Sequence, residues 1–157
     1  IPTPDLVAAW LTLDLLPSER VPLWAAHWLV EGFDGDNLAE LAGLHGDDPR
    51  AVREVLVGAL ADCDAVPPDT DEAAAAIVFY AIANLYTGGL ATERWVTAKI
   101  DEVVARSGYL ASVMELPLGR LYSLDDEWDS GWGRTTDDIR RLVADACAAQ
   151  LAAAVRR

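Results

Sequence analysis

Residues 71–87 read DEAAAAIVFYAIANLYT, a run long enough for about five helical turns. It opens with two acids, which suit a helix N-terminus, and it ends at Gly88 and Gly89. Between these limits it is apolar nearly all the way round. A helix without a polar face has to be surrounded by other elements. The stretch therefore predicts a central helix over residues 71–87 with the rest of the chain packed around it.

Helix start and stop patterns recur on both sides of this run. Thr3-Pro4 and Asp48-Pro49 pair an N-cap residue with a proline at the first helical position. Asp34, Thr92 and Thr135 are the expected N-caps of three further helices. We expect helices over about residues 4–16, 18–32, 34–43, 49–63, 92–107 and 135–151, with a short one near 110–115. The sequence predicts one all-α domain over residues 1–157, a bundle of six to eight helices.

Charge is the strongest global property of the chain. Its 157 residues include 26 acidic and 12 basic side chains, a formal net charge of −14. Such a field repels nucleic-acid phosphates and anionic lipid headgroups, and it speeds encounter with basic proteins. The longest apolar stretch is too short to span a bilayer. We therefore expect no binding to nucleic acid or membranes and a basic protein partner. The alternative is that the acids serve solubility alone.

Two cysteines, Cys63 and Cys147, lie far apart and outside any C-x-x-C pair. This spacing is typical of reduced, buried thiols and not of a disulfide framework. No basic segment followed by an apolar core, as in a signal peptide, is present. We expect a cytoplasmic protein.

The least regular segment covers residues 117–134 and is here called the Trp/acid loop. Its glycines and Pro117 disfavour regular structure. Four acids and two tryptophans lie within eight of its residues: Asp125, Asp126, Glu127, Trp128, Asp129 and Trp132. Tryptophan is a common interface anchor, and acids around it select a basic partner. These six residues are the candidate partner-binding site. The alternative is that both rings fold back to cover one end of the bundle.

A second candidate site lies near Asn84, the one polar residue well inside the 71–87 run. We expect Asn84 to be buried and therefore hydrogen-bonded, because an unpaired buried amide costs on the order of 1–3 kcal/mol. The simpler interpretation is a structural hydrogen bond. The alternative is a ligand pocket lined by Tyr80, Tyr86, Trp24 and His27 around Asn84.

Motifs for metal or catalytic chemistry are not found. A calcium-loop register that starts at Asp125 fails at positions 6 and 12, and one that starts at Asp126 fails at positions 3, 5 and 12. His27 and His45 have no zinc-ligand spacing, although Asp47 and Asp48 follow His45 closely. No nucleophile elbow, phosphate loop or dinucleotide-binding glycine pattern occurs. We expect no metal and no cofactor, and the sequence favours a role other than catalysis.

Two segments, ERVPLWAAHWL at residues 19–29 and LAELAGL at residues 38–44, carry a resemblance. They are similar to segments of small acidic helical proteins of unknown function from high-GC actinobacteria. The resemblance implies a bacterial cytosolic origin and carries no mechanism.

Three functional hypotheses follow from these observations. The first is an acidic protein-interaction module of the immunity or inhibitor type, which masks a basic partner. The second is a helical domain that binds a small molecule near Asn84. The third is an enzyme of unrecognised class.

Overall fold

A computed structural model describes residues 1–155, and these residues form eight α-helices and no β-strand. The helices are α1 (Pro4–Thr12), α2 (Val21–Glu31), α3 (Asp36–Ala42), α4 (Pro49–Asp62), α5 (Asp71–Thr87), α6 (Glu93–Arg106), α7 (Ala111–Met114) and α8 (Thr136–Val155). Short 3₁₀ turns occupy Ser18–Arg20, Gly119–Leu121 and Leu124–Glu127. The predicted all-α class and number of helices are confirmed, and α5 has the predicted bounds.

The chain divides into two compact units, one of residues 1–70 and one that begins at Asp71. The first unit contains α1–α4 around its own core, in which Trp28, Leu38 and Leu56 are fully buried. Trp28 Nε1 donates a hydrogen bond to the carbonyl oxygen of Pro2 over 3.0 Å, so the large ring is satisfied at its polar end. The single-domain assignment of the whole chain stays a prediction.

The second unit is organised by α5, which packs against α6, α7 and α8. Its buried residues lie on one face: Ala74, Ala75, Val78, Phe79, Ile82 and Ala83. Tyr80 and Asn84, one turn apart on the same strip, are exposed. The expected burial of Asn84 is therefore wrong, and its amide needs no protein partner because water reaches it.

Local capping confirms most predicted helix starts. Thr3, Asp48 and Thr92 accept hydrogen bonds from first-turn backbone N–H groups of α1, α4 and α6. Thr135 Oγ1 accepts from the backbone N–H of Asp138 over 3.2 Å at the start of α8. These contacts involve residues two or three positions apart, so short sequence windows suffice to predict them.

Several predicted boundaries differ from the observed ones, among them the start of α2 at Val21, and two of the differences have an identifiable reason. Helix α1 ends at Thr12 and not near Leu16, because Asp14 takes a left-handed φ of 56° and the N–H of Leu15 turns back to the Trp10 carbonyl over 2.9 Å. Helix α3 begins at Asp36 instead of following an Asp34 cap. Its first turn is capped by a distant side chain, since Asp62 Oδ2 accepts from the N–H of Leu38 over 3.0 Å.

Within residues 1–155, no helix has both the length and the hydropathy that crossing a bilayer requires.

Candidate functional site

The Trp/acid loop lies along one polar strip of α6. Arg94, Thr97 and Asp101 stand at spacings of three and four residues, so they share a helix face. Asp101 Oδ1 accepts from the backbone N–H of Ser123 over 3.0 Å, and Arg94 pairs with Asp129 near the other end of the strip. The loop therefore runs antiparallel to α6 and is held by hydrogen bonds at both ends.

Trp128 is the buried anchor of this loop, with 8% of its surface exposed. Its indole Nε1 donates to Thr97 Oγ1 over 2.8 Å. The Thr97 hydroxyl has two acceptors for its own proton, Asp125 Oδ1 at 2.8 Å and the Arg94 carbonyl at 3.0 Å. Leu124, one turn before Trp128, is also buried. The alternative interpretation expects both rings to fold back over the helices, and Trp128 does so.

Arg94 lies over the ring of the same indole. Its guanidinium donates to both carboxylate oxygens of Asp129, with Nη1 2.9 Å from Oδ2 and Nη2 2.8 Å from Oδ1. Its Cζ lies 5.1 Å from the centroid of the Trp128 ring, within cation–π range. The hydrogen bonds from Arg94, together with its positive charge, hold the pKa of Asp129 below its usual range.

Glu127 is turned back into the loop. Its side chain is only 11% exposed, and its two carboxylate oxygens accept from Nη1 of Arg134 at 2.8 Å and from the backbone N–H of Arg134 at 3.0 Å. Gly133, with a φ of +79°, permits this approach because a Cβ there would collide with Glu127 Oε1. The role of Glu127 is thus to fix the end of the loop.

Asp126 differs from the other three acids of the loop, each of which accepts a hydrogen bond within the chain. It is exposed, and its carboxylate has no hydrogen bond or ion pair within residues 1–155. Burial raises the pKa of the nearby Asp101, the Ser123 N–H opposes that rise, and the charges of Asp125 and Asp126 add to it. The three carboxylates form a region of negative potential beside the loop that a cationic group would relieve.

The side chain of Trp132, unlike that of Trp128, is not packed into the protein. Its side chain is 65% exposed at the glycine-flanked end of the loop. Its backbone is ordered by Ser130, whose Oγ accepts from the Trp132 N–H over 3.3 Å and lies 2.8 Å from the Trp132 carbonyl. An ordered backbone with a free indole ring is what a protein-binding anchor requires.

Two tyrosines adjoin this acidic region. The rings of Tyr109 and Tyr122 meet edge to face at 5.6 Å. Partial desolvation raises the pKa of Tyr122, Tyr109 raises it further, and Asp101 and Asp126 contribute through their charges. Tyr109 is exposed, so a second aromatic ring reaches solvent beside the loop, where it packs on Tyr122.

Arg94, Thr97 and Asp101 were missed by the sequence reasoning as parts of this site. They lie 22 to 35 residues before their loop partners in the chain. The only signal for them in the sequence was their spacing, which places all three on one face of a predicted helix. A polar strip on a helix ordinarily faces solvent, so the spacing alone does not show that a loop covers it.

The five residues of the predicted ligand pocket do not share one environment. Trp24 is buried in the core of the first unit and packs against Trp10 with centroids 5.7 Å apart, whereas His27 is exposed on the same helix. In the second unit, Asn84 is exposed. Tyr80 lines a small groove of about 210 Å³ with Gln150.

Tyr86 lines a larger open groove of about 610 Å³ between the end of α5, the turn into α6 and α8. Its floor is apolar, with Ala144, Ala148 and Leu151. Tyr86 Oη lies 3.4 Å from Glu93 Oε1, and partial burial followed by the charge of Glu93 raises the pKa of the tyrosine. Tyr80 and Tyr86, both expected in one pocket, thus line two different grooves.

The residues weighed as metal ligands do not assemble into a site. His45 and Asp47 are exposed, and Asp48 Oδ1 accepts from the first-turn N–H groups of α4. Among the described residues, no three His, Cys, Asp or Glu side chains come together in an arrangement suited to a metal ion.

Comparison with protein-family models, with curated proteins and with solved structures gives no match for this chain.

Proposed function

We propose that this chain is an acidic protein-interaction module that binds and masks a basic protein, in the manner of an immunity protein or an inhibitor. The observation that carries the proposal is Trp132, an indole ring 65% exposed on an ordered loop that also presents Asp126. Large aromatic side chains supply much of the binding energy at protein interfaces when a partner covers them. The net charge of −14 would steer a basic partner toward this surface.

The loop is held by contacts within the chain and still exposes Trp132, which supports the proposal. Trp128, Glu127 and Asp129 are engaged within the chain, so Trp132 is presented on a preorganised backbone. Preorganisation lowers the entropic cost of association, since the loop does not have to be ordered on binding. The reduced thiols of Cys63 and Cys147 fit a cytoplasmic setting for this interaction.

The decisive experiment compares wild type with Trp132→Ala as immobilised bait for an extract of the source cells. Both baits carry the same charge of −14, so simple ion exchange retains the same proteins on both. We expect a strongly basic protein to be retained by wild type and lost from Trp132→Ala. Equal retention on both baits would show that net charge alone accounts for the binding and would contradict the proposal.

Kinetics with that partner then separate the two contributions. Asp126→Asn should slow association and weaken its dependence on salt, because an exposed acid acts mainly by steering. Trp132→Ala should cost at least ~2 kcal/mol of binding, mainly as faster dissociation.

The groove beside Tyr86 supports a second candidate function, the binding of a small ligand. Its volume falls in the range of about 300–1,000 Å³ typical of ligand sites. Fragment screening by ligand-observed NMR tests it, with Leu151→Asp as the variant that makes the apolar floor polar. Binders lost from this variant but kept by Ala149→Asp, an exposed position on α8, would place the ligand in the groove.

A further inference from the structure

We propose that the basic partner inserts an arginine between Trp128 and Asp129, a place that Arg94 of this chain fills in the free protein. This inference rests on the proposed function and specifies the chemistry of the partner. In the free protein, Arg94 makes the contacts with the Trp/acid loop that an arginine of the partner would make in the complex.

The geometry around Arg94 is selective for a guanidinium group. Both oxygens of Asp129 accept from the two terminal nitrogens of Arg94, at 2.8 and 2.9 Å, which uses the planar fork of arginine. The Trp128 ring provides a flat face 5.1 Å from Cζ. A lysine ammonium is a compact point charge that does not match a bidentate carboxylate and stacks less well. The surface therefore discriminates arginine from lysine.

Arg94 can be exchanged at low cost. Its side chain is 57% exposed, and that of Asp129 is 78% exposed. An ion pair between two exposed side chains is screened by solvent, so even this bidentate pair makes a modest contribution to stability. A partner arginine can take the same two hydrogen bonds while the Arg94 side chain turns into solvent.

The surface remains in place when Arg94 leaves, because other contacts hold it. Trp128 is fixed by its hydrogen bond to Thr97 and by burial, and Leu124 is buried beside it in the same loop. Ser123 is held separately by Asp101. The carboxylate and the indole face are thus presented together to an incoming cation.

Arg134 provides a matched control within the same loop. It is also exposed, at 54%, and also pairs with a loop acid at 2.8 Å. Its acceptor, Glu127, is only 11% exposed and also binds the Arg134 backbone, so a partner cannot replace it. Removal of either arginine changes the net charge by the same amount.

The test measures binding of labelled hexa-arginine and hexa-lysine peptides by fluorescence anisotropy at low salt. Arg94→Gln should bind hexa-arginine about three- to fivefold more tightly than wild type does, because the internal competitor is gone. Its gain in affinity for hexa-lysine should stay below about twofold. Arg134→Gln should gain less than about twofold in affinity for either peptide. The double variant Arg94→Gln with Asp129→Asn should lose the gain. Arg94→Lys, which keeps the charge and lacks the fork, should give a smaller gain in the same direction.

Several results would overturn the inference. Equal tightening by Arg94→Gln and Arg134→Gln would assign the effect to net charge. If Arg94→Gln is folded and binds hexa-arginine no more tightly than wild type does, Arg94 only supports the structure of the loop. If circular dichroism shows that Arg94→Gln does not fold, Arg94→Lys is used in its place. The inference is then contradicted if Arg94→Lys binds hexa-arginine no more tightly than wild type does. The extract experiment with Trp132→Ala is independent of Arg94, so its failure and a failure here can be told apart.

Discussion

Trp128 Nε1 donates to Thr97 Oγ1 over 2.8 Å, and this bond joins the Trp/acid loop to a helix 31 residues earlier in the chain. Both side chains are buried. The indole N–H can only donate and the threonine hydroxyl accepts it, which leaves the hydroxyl proton for Asp125 or the Arg94 carbonyl. A loop that looks irregular in sequence is therefore fastened at its largest side chain.

Thr97→Val should destabilise the protein, because valine keeps the shape but cannot accept the indole hydrogen bond. The buried N–H of Trp128 would then lack a partner, which costs roughly 1–3 kcal/mol. Urea unfolding followed by circular dichroism measures the loss. Thr87→Val, at an exposed position of α5, should change the free energy of unfolding by no more than about 0.5 kcal/mol. Equal effects of the two variants would show that the hydrogen bond contributes nothing particular.

Asp101 should make stability fall as the pH rises through the acid range. Burial and the neighbouring carboxylates raise its pKa in the folded state above the ordinary aspartate value of about 3.9. The folded state then binds the proton more tightly than the unfolded state does. The associated stability is present below the ordinary pKa and is lost as the pH passes through the folded pKa.

Asp101→Asn removes this dependence while an amide oxygen can still accept from the Ser123 N–H. Its melting temperature relative to wild type should rise between about pH 3 and pH 7. Asp129→Asn should behave in the opposite way, since Arg94 lowers the pKa of Asp129 and stabilises its charged form. Thermal melts across this pH range measure both differences. Slopes of the same sign would contradict the assigned electrostatics.

Most of the secondary structure could be predicted from the sequence, because the interactions that define it are local. Asp48, Thr92 and Thr135 cap helices through N–H groups two or three residues away. The alternation of buried and exposed residues every three to four positions is equally local. By contrast, α3 is capped by Asp62, which lies 24 residues from its bonding partner. No window around Asp34 contains that information.

The site was only partly predictable for the same reason. Composition singled out the loop, and its acids and tryptophans are indeed clustered in sequence. Which of them are free depends on α6: Arg94 engages Asp129, and Thr97 engages Trp128. The six candidate residues look equivalent in the sequence. Contacts with residues distant in the chain determine which of them are buried or paired and which are exposed. The predicted burial of Asn84 failed because composition shows that a helix is apolar without showing which strip its neighbours leave uncovered.

The two thiols should be nearly inert in the folded protein. Burial raises the pKa of Cys147 to about 11, and burial together with Asp62 and Asp64 does the same for Cys63. Because the thiolate is the reactive form, alkylation by iodoacetamide near pH 8 should be slower than in urea by on the order of a hundredfold. Mass spectrometry of timed samples measures both rates. A thiol that reacts at the same rate with and without urea is not buried as described.

The sharpest prediction separates the two tryptophans of the loop. Trp128→Ala should lower the free energy of unfolding by ~3–5 kcal/mol, because it empties a packed position and leaves Thr97 without its donor. Trp132→Ala removes a ring that is 65% exposed and should change stability by no more than about 0.5 kcal/mol. Thermal and urea unfolding of the two variants decide the matter without any partner. If Trp132→Ala proves as damaging as Trp128→Ala, both rings serve the fold and the loop offers no free anchor. If Trp128→Ala is harmless, the loop is not fastened to α6 through Thr97, and the preorganisation on which Trp132 depends is lost with it.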